Sequence, residues 1–262
     1  MSSVTPSVYQ AVVGWRHAME SLLTLGPKLS DVQWGAPTEC PDWTVKDVYA
    51  HVIGGERWMA EGHPRPTGDF AEWVSAPVAV RRDTPAALVL EELRRVYEQR
   101  RVQMDSGQID PGAPAYLATG QETTLGRLLE MRVFDLWAHE QDVRRAVDMP
   151  GSLDSPAAAV AGKLCVAALP RVVAKAAGVP PGTAVRLSTT GEVTMDVAVA
   201  VDADGRGALV SPDRSVAAHL TLSWEGYTRL CCGRGARSDY EVKIIGDRTL
   251  AEKILAHLTI TP

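Results

Sequence analysis

The segment Thr44–Ile53, TVKDVYAHVI, contains both a helix start and a helical hydrophobic pattern. Thr44 and Asp47 have the spacing of a capping box, in which a hydroxyl group and an acid three residues later satisfy free backbone amides at the start of a helix. The apolar residues that follow recur every three or four positions, as on one face of a helix: Val45, Val48, Tyr49, Val52 and Ile53. We therefore predict a helix from residue 44 to about residue 61 and an α-helical fold around it.

Helical patterns of the same kind lie on both sides of this segment. They predict helices at about residues 7–25, 84–104 and 123–147. A further, Ala-rich helix starts at Ser155-Pro156 and is expected to kink at Pro170, because proline has no backbone amide to donate. Four or five long helices with apolar stripes predict an up-and-down four-helix bundle.

The sequence changes character at Gly178-Val179-Pro180-Pro181-Gly182, where helical patterns give way to the alternation of strands. Strands are predicted at residues 184–188, 193–201, 216–223 and 240–245, with helices at residues 224–232 and 247–258. Strands with helices near the end indicate a small α+β domain. We therefore predict two domains, a helical bundle over residues 1–178 and a small α+β domain over residues 183–262.

The composition is that of an ordinary globular protein. Of the 262 residues, 45% are hydrophobic and 23% are charged, which excludes a disordered or fibrous chain. A net charge of −5 offers no basic surface for nucleic acid. No run approaches the roughly 20 apolar residues of a membrane span, and the first six residues lack the features of a secretion signal. We expect a cytoplasmic protein, monomer or homodimer, that binds neither nucleic acid nor membrane.

Two polar residues lie on a helix face that should be apolar. Asp135 and His139 are four residues apart, so they stack on one side of the predicted helix, in a stripe with Leu136 and Val143. A buried carboxylate is costly unless it has a partner, which here is Arg132, a histidinium or a metal. Three residues after Val48, His51 lies beside the apolar stripe of its own helix.

If these two helices face each other, His51, Asp135 and His139 form a three-ligand site with open coordination positions. That set suits zinc or another divalent first-row metal. The alternative is a hydrogen-bonded core histidine paired with Asp135. Asp142 is a further ligand, an acceptor that orients His139, or a partner of Arg145, and we favour the latter two roles.

Neighbouring residues have two interpretations each. Trp43 and Trp58 flank His51 in the sequence and line a pocket or belong to the core. Glu56 and Arg57, about one turn after His51, are interpreted as a solvated face of the helix. Cys40 and the other three cysteines are expected to be free thiols, mostly buried, because their spacing fits no metal knuckle.

Several segments together resemble the mycothiol-dependent maleylpyruvate isomerase family. The opening of that family is similar to residues 37–47, PTECPDWTVKD, followed by His51 and by residues 54–57, GGER. Residues 135–146 resemble its second metal motif, and Gly233-Arg234 and Gly246-Asp247 resemble its closing segment. The resemblance implies a DinB-like metal-binding helical bundle followed by a small domain similar to sterol carrier proteins.

The resemblance also implies site residues. The family's metal-binding histidine falls on His51, and its acid and histidine spaced by four fall on Asp135 and His139. The isomerase has glutamate at the acid position, so Asp135 departs from the pattern with a shorter arm. The family isomerase binds its anionic substrate with an arginine from the second domain, for which Arg234 is the candidate and Arg229 and Arg237 are competitors. A solvated loop arginine is the alternative interpretation of Arg234.

The implied activity is a metal-dependent, mycothiol-dependent isomerase or S-transferase acting on small electrophilic, anionic substrates such as maleylpyruvate. The implied cofactors are a divalent metal, zinc above all, and mycothiol as the thiol cosubstrate. Two alternatives stay open at this point. One is a non-catalytic metal-binding or small-molecule-binding protein, such as a sensor or carrier, and the other is a purely structural metal site.

Overall fold

The structure, a computed structural model, describes residues 6–261. The residues on which the expectation about a secretion signal rests lie almost entirely outside this range. The contacts divide the chain into two compact units, one ending at Ala161 and one beginning at Gly162.

Helices make up most of the first unit. In chain order its elements are α1 (Pro6–Leu25), α2 (Asp31–Trp34), α3 (Val45–Ala60), α4 (Phe70–Ala79), α5 (Ala86–Asp105), β1 (Pro114–Tyr116), β2 (Glu122–Thr124), α6 (Leu125–Ala146) and the first part of α7 (Pro156–Arg171). Among the described residues, β1 and β2 form an antiparallel hairpin that leads directly into α6. Neither this hairpin nor α4 was predicted from the sequence.

The four long helices α1, α3, α5 and α6 form the predicted bundle. α1 packs against α6 and α3 against α5, while contacts of α3 with α6 and of α1 with α5 close the ring. Trp15, Leu22, Ile53, Leu93 and Leu136 are completely or almost completely buried in its interior. The predicted fold class of this half is therefore confirmed.

The helix start at Thr44 has the predicted form. The side chain of Thr44 accepts a hydrogen bond from the backbone N–H of Asp47, and the carboxylate of Asp47 accepts one from the backbone N–H of Thr44. Thr124 caps α6 in a similar way by accepting from the N–H of Arg127. The caps therefore fix where the two helices that carry His51 and Asp135 begin.

A five-stranded sheet is the centre of the second unit, as far as the described residues extend. The strands are β3 (Ala184–Thr190), β4 (Asp196–Val201), β5 (Gly207–Val210), β6 (Ala218–Ser223) and β7 (Val242–Gly246), and the order across the sheet is β5-β4-β3-β6-β7. β3 and β6 are parallel, and the other neighbours are antiparallel. Helices α8 (Trp224–Cys231) and α9 (Arg248–Leu255) pack on the sheet, which confirms the predicted α+β class.

The division between the units lies within α7, upstream of the Pro/Gly segment that we predicted as the boundary. Later residues of the helix belong to the second unit, where Gly162 lies against the ring of Trp224 and Leu169 lines an apolar interior with Val185 and Leu220. The domain ranges 1–178 and 183–262 stay a prediction. α7 ends one residue after Pro170, and a π-helical turn, Val172–Ala176, follows it.

One segment, residues 156–176, is long and apolar enough to cross a membrane by length and composition. Of the apolar 18-residue stretch within this segment, 56% is buried inside the protein. The core helix of a folded domain passes the same test of length and composition, so this segment is weak evidence for a membrane span.

Candidate metal centre

His51, Asp135 and His139 come together on two facing helices of the bundle. His51 lies on α3, and Asp135 and His139 lie on α6. The Nε2 atom of His51 is 3.7 Å from Oδ2 of Asp135, and the Nε2 atom of His139 is 3.5 Å from Oδ1 of Asp135. One nitrogen or oxygen atom from each side chain lies within 4.8 Å of the others. The sequence argument therefore selected three residues that the fold brings into reach of one cation.

The geometry of these atoms fits a small divalent metal. Two ligand atoms that each lie about 2.1 Å from a zinc ion are separated by roughly 3.4 Å in a tetrahedron. The separations found here, 3.7 Å from His51 to Oδ2 of Asp135 and 3.5 Å from His139 to Oδ1, are close to this value, each to a different oxygen of the carboxylate. The Nδ1 atom of His51 is buried and has no hydrogen-bonding partner in the described part of the chain. The alternative interpretation, a core histidine paired with Asp135, therefore accounts for Nε2 of His51 but gives its Nδ1 atom no partner among the described residues.

Solvent reaches the three residues from one side. The side chains of His51 and His139 are 4% and 8% exposed, whereas that of Asp135 is 35% exposed. A cation held by the three side chains would thus keep open positions toward solvent, which distinguishes a reactive metal site from a closed structural one.

Asp142 lies on the opposite edge of the His139 ring. Its Oδ2 atom is 3.1 Å from Nδ1 of His139 and accepts a hydrogen bond from Sγ of Cys40 at 3.0 Å. Because the carboxylate of Asp142 contacts Nδ1, the Nε2 atom of the same ring is left to face Asp135 and His51. This contact favours the role of Asp142 as the acceptor that orients His139. Cys40, His139 and Asp142 also form a second group of donor atoms close enough to hold a cation.

Glu56 is completely buried, so its interpretation as part of a solvated face is wrong. Its carboxylate accepts hydrogen bonds from Nε of Arg132 at 2.8 Å, Nε1 of Trp15 at 2.9 Å and Nε of Arg100 at 3.2 Å. A usable signal was present, because Glu56 lies four and seven residues after Val52 and Tyr49, on the same apolar stripe. Arg57, the neighbour of Glu56, is exposed as predicted.

Arg132 connects Glu56 to the three candidate ligands. Besides the bond from Nε to Glu56, its Nη1 donates to Oδ2 of Asp135 and its Nη2 donates to the backbone oxygen of Val52 at 3.1 Å. Gly55 makes room for this guanidinium group, since a Cβ atom at that position would lie 2.5 Å from Cζ of Arg132. Arg132 therefore holds one carboxylate oxygen of Asp135 and leaves Oδ1 facing His139.

These contacts determine the protonation of the three residues. Burial lowers the pKa of His51, so its imidazole is neutral. Burial alone would raise the pKa of Asp135, but Arg132 and His139 hold it well below its usual range. Burial alone would lower the pKa of His139, but Asp135 and Asp142 raise it well above its usual value. Asp135 is thus ionised, as a metal ligand must be, whereas His139 carries a second proton in the absence of a metal and would release it from Nε2 on binding one.

Aromatic rings surround the two imidazoles. The ring centroid of Trp43 is 4.9 Å from that of His51 and 5.9 Å from that of His139. Trp73, on the unpredicted helix α4, lies edge-on to His51 at 6.3 Å and edge-on to Trp58 at 5.5 Å. α4 approaches α3 closely at Gly54, where a Cβ atom would lie 2.3 Å from Cγ of Pro77. Sequence reasoning found Trp43 and Trp58 but missed Trp73, whose helix gave no long apolar pattern.

The candidate substrate-binding arginine lies in the second unit, just after α8. Arg234 is half-buried, and its Nη1 donates to the backbone oxygen of Cys232 at 3.1 Å. Of its competitors, Arg229 is 2% exposed within α8, and Arg237 forms an ion pair with Glu252 at 3.2 Å. Gly233 and Gly235 on either side of Arg234 have φ values of 67°, a conformation that favours glycine. The role of Arg234 stays a prediction.

Comparison with known proteins gives a family and a fold. Residues 15–144 match the sequence model of the mycothiol maleylpyruvate isomerase N-terminal domain, a range that includes His51, Asp135 and His139. Crystal structures of the mycothiol-dependent maleylpyruvate isomerase and of a histidine-to-alanine mutant are similar to this chain, with TM-scores of 0.56 and identities of 15% and 16%. Each comparison covers 90% of this chain and 92% of the other, and at such identity it shows a shared fold. No curated protein matches the chain.

Proposed function

Because this chain belongs to the mycothiol maleylpyruvate isomerase family, we propose that it is a metal-dependent enzyme that uses mycothiol as its thiol cosubstrate. Its reaction is the isomerisation of small electrophilic, anionic compounds such as maleylpyruvate, or S-transfer to them. One observation carries the proposal: His51, Asp135 and His139, from facing helices, place their donor atoms within 4.8 Å of one another beside a solvent-exposed carboxylate edge.

Zinc is the metal that we propose for this site, because two imidazoles and one carboxylate match its preferred ligands. A divalent cation lowers the pKa of a coordinated thiol and so makes a thiolate available near neutral pH. The chain's own residues hold the arrangement in place. Asp142 accepts a hydrogen bond from Nδ1–H of His139. Arg132 donates a hydrogen bond to Oδ2 of Asp135, which leaves Oδ1 of this shorter side chain facing the site.

The substrate chemistry follows from the thiolate. Its sulfur adds to one carbon of a conjugated double bond while the electron pair moves onto the conjugated carbonyl oxygen. The former double bond is now single and rotates, and return of the electron pair expels the sulfur and leaves the trans isomer with the thiolate regenerated. If the substrate carries a leaving group instead, that group departs with its electron pair and the sulfur stays bound, which is S-transfer.

Arg234 is the residue that we propose for the carboxylate of an anionic substrate, since a guanidinium group binds carboxylates in a bidentate manner. Support comes from its place in Gly233-Arg234, which resembles the closing segment of the family. We place the protein in the cytoplasm, as a monomer or homodimer that acts on small molecules.

The first experiment measures the metal content of the purified protein by mass spectrometry and compares it with a His51→Ala/His139→Ala double variant. We expect about one zinc-like ion per chain in the natural protein and a loss of it in the variant. The matched control is a His63→Ala/His257→Ala double variant, which removes two histidines outside the site and should keep the metal. Assays with maleylpyruvate then compare turnover with and without the thiol.

The outcomes separate the candidate functions. Bound metal with thiol-dependent turnover supports the enzyme. Bound metal without turnover with any thiol favours the non-catalytic sensor or carrier. If no metal is bound and none is taken up when zinc, nickel or iron is supplied, the family relationship preserves only the fold and the proposal fails.

A further inference from the structure

Four aromatic rings form a connected group that begins at the two imidazoles of the candidate metal centre, and we call them the aromatic collar: Trp43, Trp58, Phe70 and Trp73. Trp43 lies against both imidazoles, with ring centroids 4.9 and 5.9 Å away. The ring of Trp73 is 6.3 Å from that of His51, and it contacts Trp58 at 5.5 Å and Phe70 at 6.4 Å. Two rings of the collar, Trp43 and Trp73, thus lie next to the candidate ligand histidines.

The collar does not behave like the aromatic core of the bundle. Trp15 and Trp137, in the interior of the bundle, are each 1% exposed. The four collar rings remain half-buried, next to the 35% exposed carboxylate of Asp135. Large apolar rings that keep exposed surface around reactive groups are typical of a ligand-binding surface.

The guanidinium group beside Asp135 is already engaged. Arg132 contacts Asp135 directly, and each of its three guanidinium nitrogens donates a hydrogen bond, to Glu56, Asp135 and Val52. A substrate carboxylate would have to displace one of these partners. The rings of the collar, by contrast, offer their faces and edges to another planar π system.

We propose that the site takes an electrophile whose reacting double bond is conjugated with a planar aromatic ring, and that this ring lies against Trp73 and the rest of the collar. The proposal rests on the proposed function, because it names the substrate class of the same site. It assigns ring recognition to the bundle, separately from any recognition of a carboxylate by Arg234.

Two unreactive probes of matched chemistry test this. Cinnamate and crotonate are both conjugated monocarboxylates, and they differ in carrying a phenyl ring or a methyl group on the double bond. Their dissociation constants are measured by calorimetry on the purified protein with zinc supplied and no thiol present. We expect cinnamate to bind about tenfold more tightly than crotonate.

Substitutions then locate the preference. Trp73→Leu keeps an apolar side chain but removes the ring. We expect it to reduce the ratio of the dissociation constants of crotonate and cinnamate to about threefold or less. Trp73→Phe should keep most of the preference, and Tyr9→Leu, which removes an exposed ring on α1, should leave it unchanged. If circular dichroism shows that Trp73→Leu disturbs the fold, Trp58→Leu replaces it.

Equal affinities for the two probes, no measurable binding of cinnamate, or a ratio that Trp73→Leu leaves unchanged would each overturn the proposal. These readouts need neither thiol nor turnover. A normal ratio combined with failed thiol-dependent assays on both maleylpyruvate and an electrophile of the proposed aromatic class would therefore leave the aromatic binding site standing and reject only the proposed reaction.

Discussion

Glu56 links the candidate ligands to the interior of the bundle. Its carboxylate is completely buried and lies between the guanidinium groups of Arg132 and Arg100. Arg132 in turn holds Asp135, so the position of the metal-facing carboxylate depends on a buried acid that would not contact the metal itself. Breaking a buried ion pair by removing one partner is strongly destabilising, because the other charge stays buried without compensation.

We therefore predict that Glu56→Gln lowers the free energy of unfolding by about 3–5 kcal/mol at pH 7. Burial alone would raise the pKa of Glu56, but Arg132 and Arg100 hold it below its ordinary value of 4.5. An acid with a lowered pKa stabilises the fold above its ordinary pKa, and this contribution is lost as the pH falls through the lowered value. The difference between natural protein and variant should accordingly shrink when the pH falls below 4.5.

Urea denaturation monitored by circular dichroism measures this difference at each pH. Glu61→Gln is the matched control, because Glu61 is an exposed acid that directly follows the same helix. A loss for Glu56→Gln no larger than that of the control would show that the buried network contributes nothing to stability.

At the residue scale, the sequence predicted what depends on spacing within one helix. The pair Asp135 and His139, four apart, and the position of His51 beside an apolar stripe predicted that the three meet if their helices face each other, and the family resemblance supported that condition. Cys40 and Asp142 are in contact but lie 102 residues apart in sequence, so no local pattern could pair them. Trp73 reaches His51 only because Gly54 lets α4 approach α3.

The start of α3 decides where His51 lies along the bundle. Thr44 and Asp47 exchange hydrogen bonds that satisfy free backbone amides, and a carbonyl oxygen of the preceding loop, at Trp43, accepts from Thr38. A cap of this kind contributes about 1 kcal/mol to stability. The same loop carries Trp43 and Cys40, so the cap also anchors two neighbours of the candidate metal centre.

We predict that Thr44→Ala lowers the free energy of unfolding by about 1 kcal/mol, within the range of 0.5–2 kcal/mol for lost N-caps. The physical reason is that the N–H of Asp47 loses its side-chain acceptor. The measurement is again urea denaturation, with Thr67→Ala as control, because Thr67 is an exposed threonine outside the helices and strands. Equal stabilities of the two variants would mean that the capping box is not energetically important.

At the scale of elements, the long helices were predictable and the short elements were not. α1, α3 and α6 have sustained apolar periods or side-chain caps, and their observed ends agree with the prediction to within about two residues. α4, with ten residues, and β5, with four, are too short to establish a period of their own. Their form depends on the surface against which they pack, which a local pattern does not contain.

At the scale of the whole molecule, the order of a helical bundle followed by an α+β unit was predictable from the change in pattern near residue 180. The place at which the contacts divide was not, because α7 is one continuous helix whose residues belong to different units on either side of Ala161. Apolar periodicity records that a helix is buried but not which neighbours bury it.

The core of the bundle also indicates what removal of the metal should do. Apart from the buried ion pairs of Glu56, its interior is closely filled by apolar side chains such as Trp15, Leu22, Ile53 and Leu136, while Asp135, one of the candidate ligands, is 35% exposed. A structural metal supplies the folding energy of a domain that lacks such a core. Here the core exists without it, so we predict that the protein stripped of metal by a chelator keeps its helical circular dichroism at 25 °C.

The metal should still stabilise the protein, because it binds the folded state. At a free concentration of one hundred times its dissociation constant, the metal adds about 2.7 kcal/mol to the free energy of unfolding. For a chain of this size, each kcal/mol changes Tm by about 2–4 °C. Chelation should therefore lower Tm by about 5–10 °C, and the His51→Ala/His139→Ala variant should show no such shift. Loss of the helical signal on chelation would instead identify a structural metal site and contradict an open, reactive one.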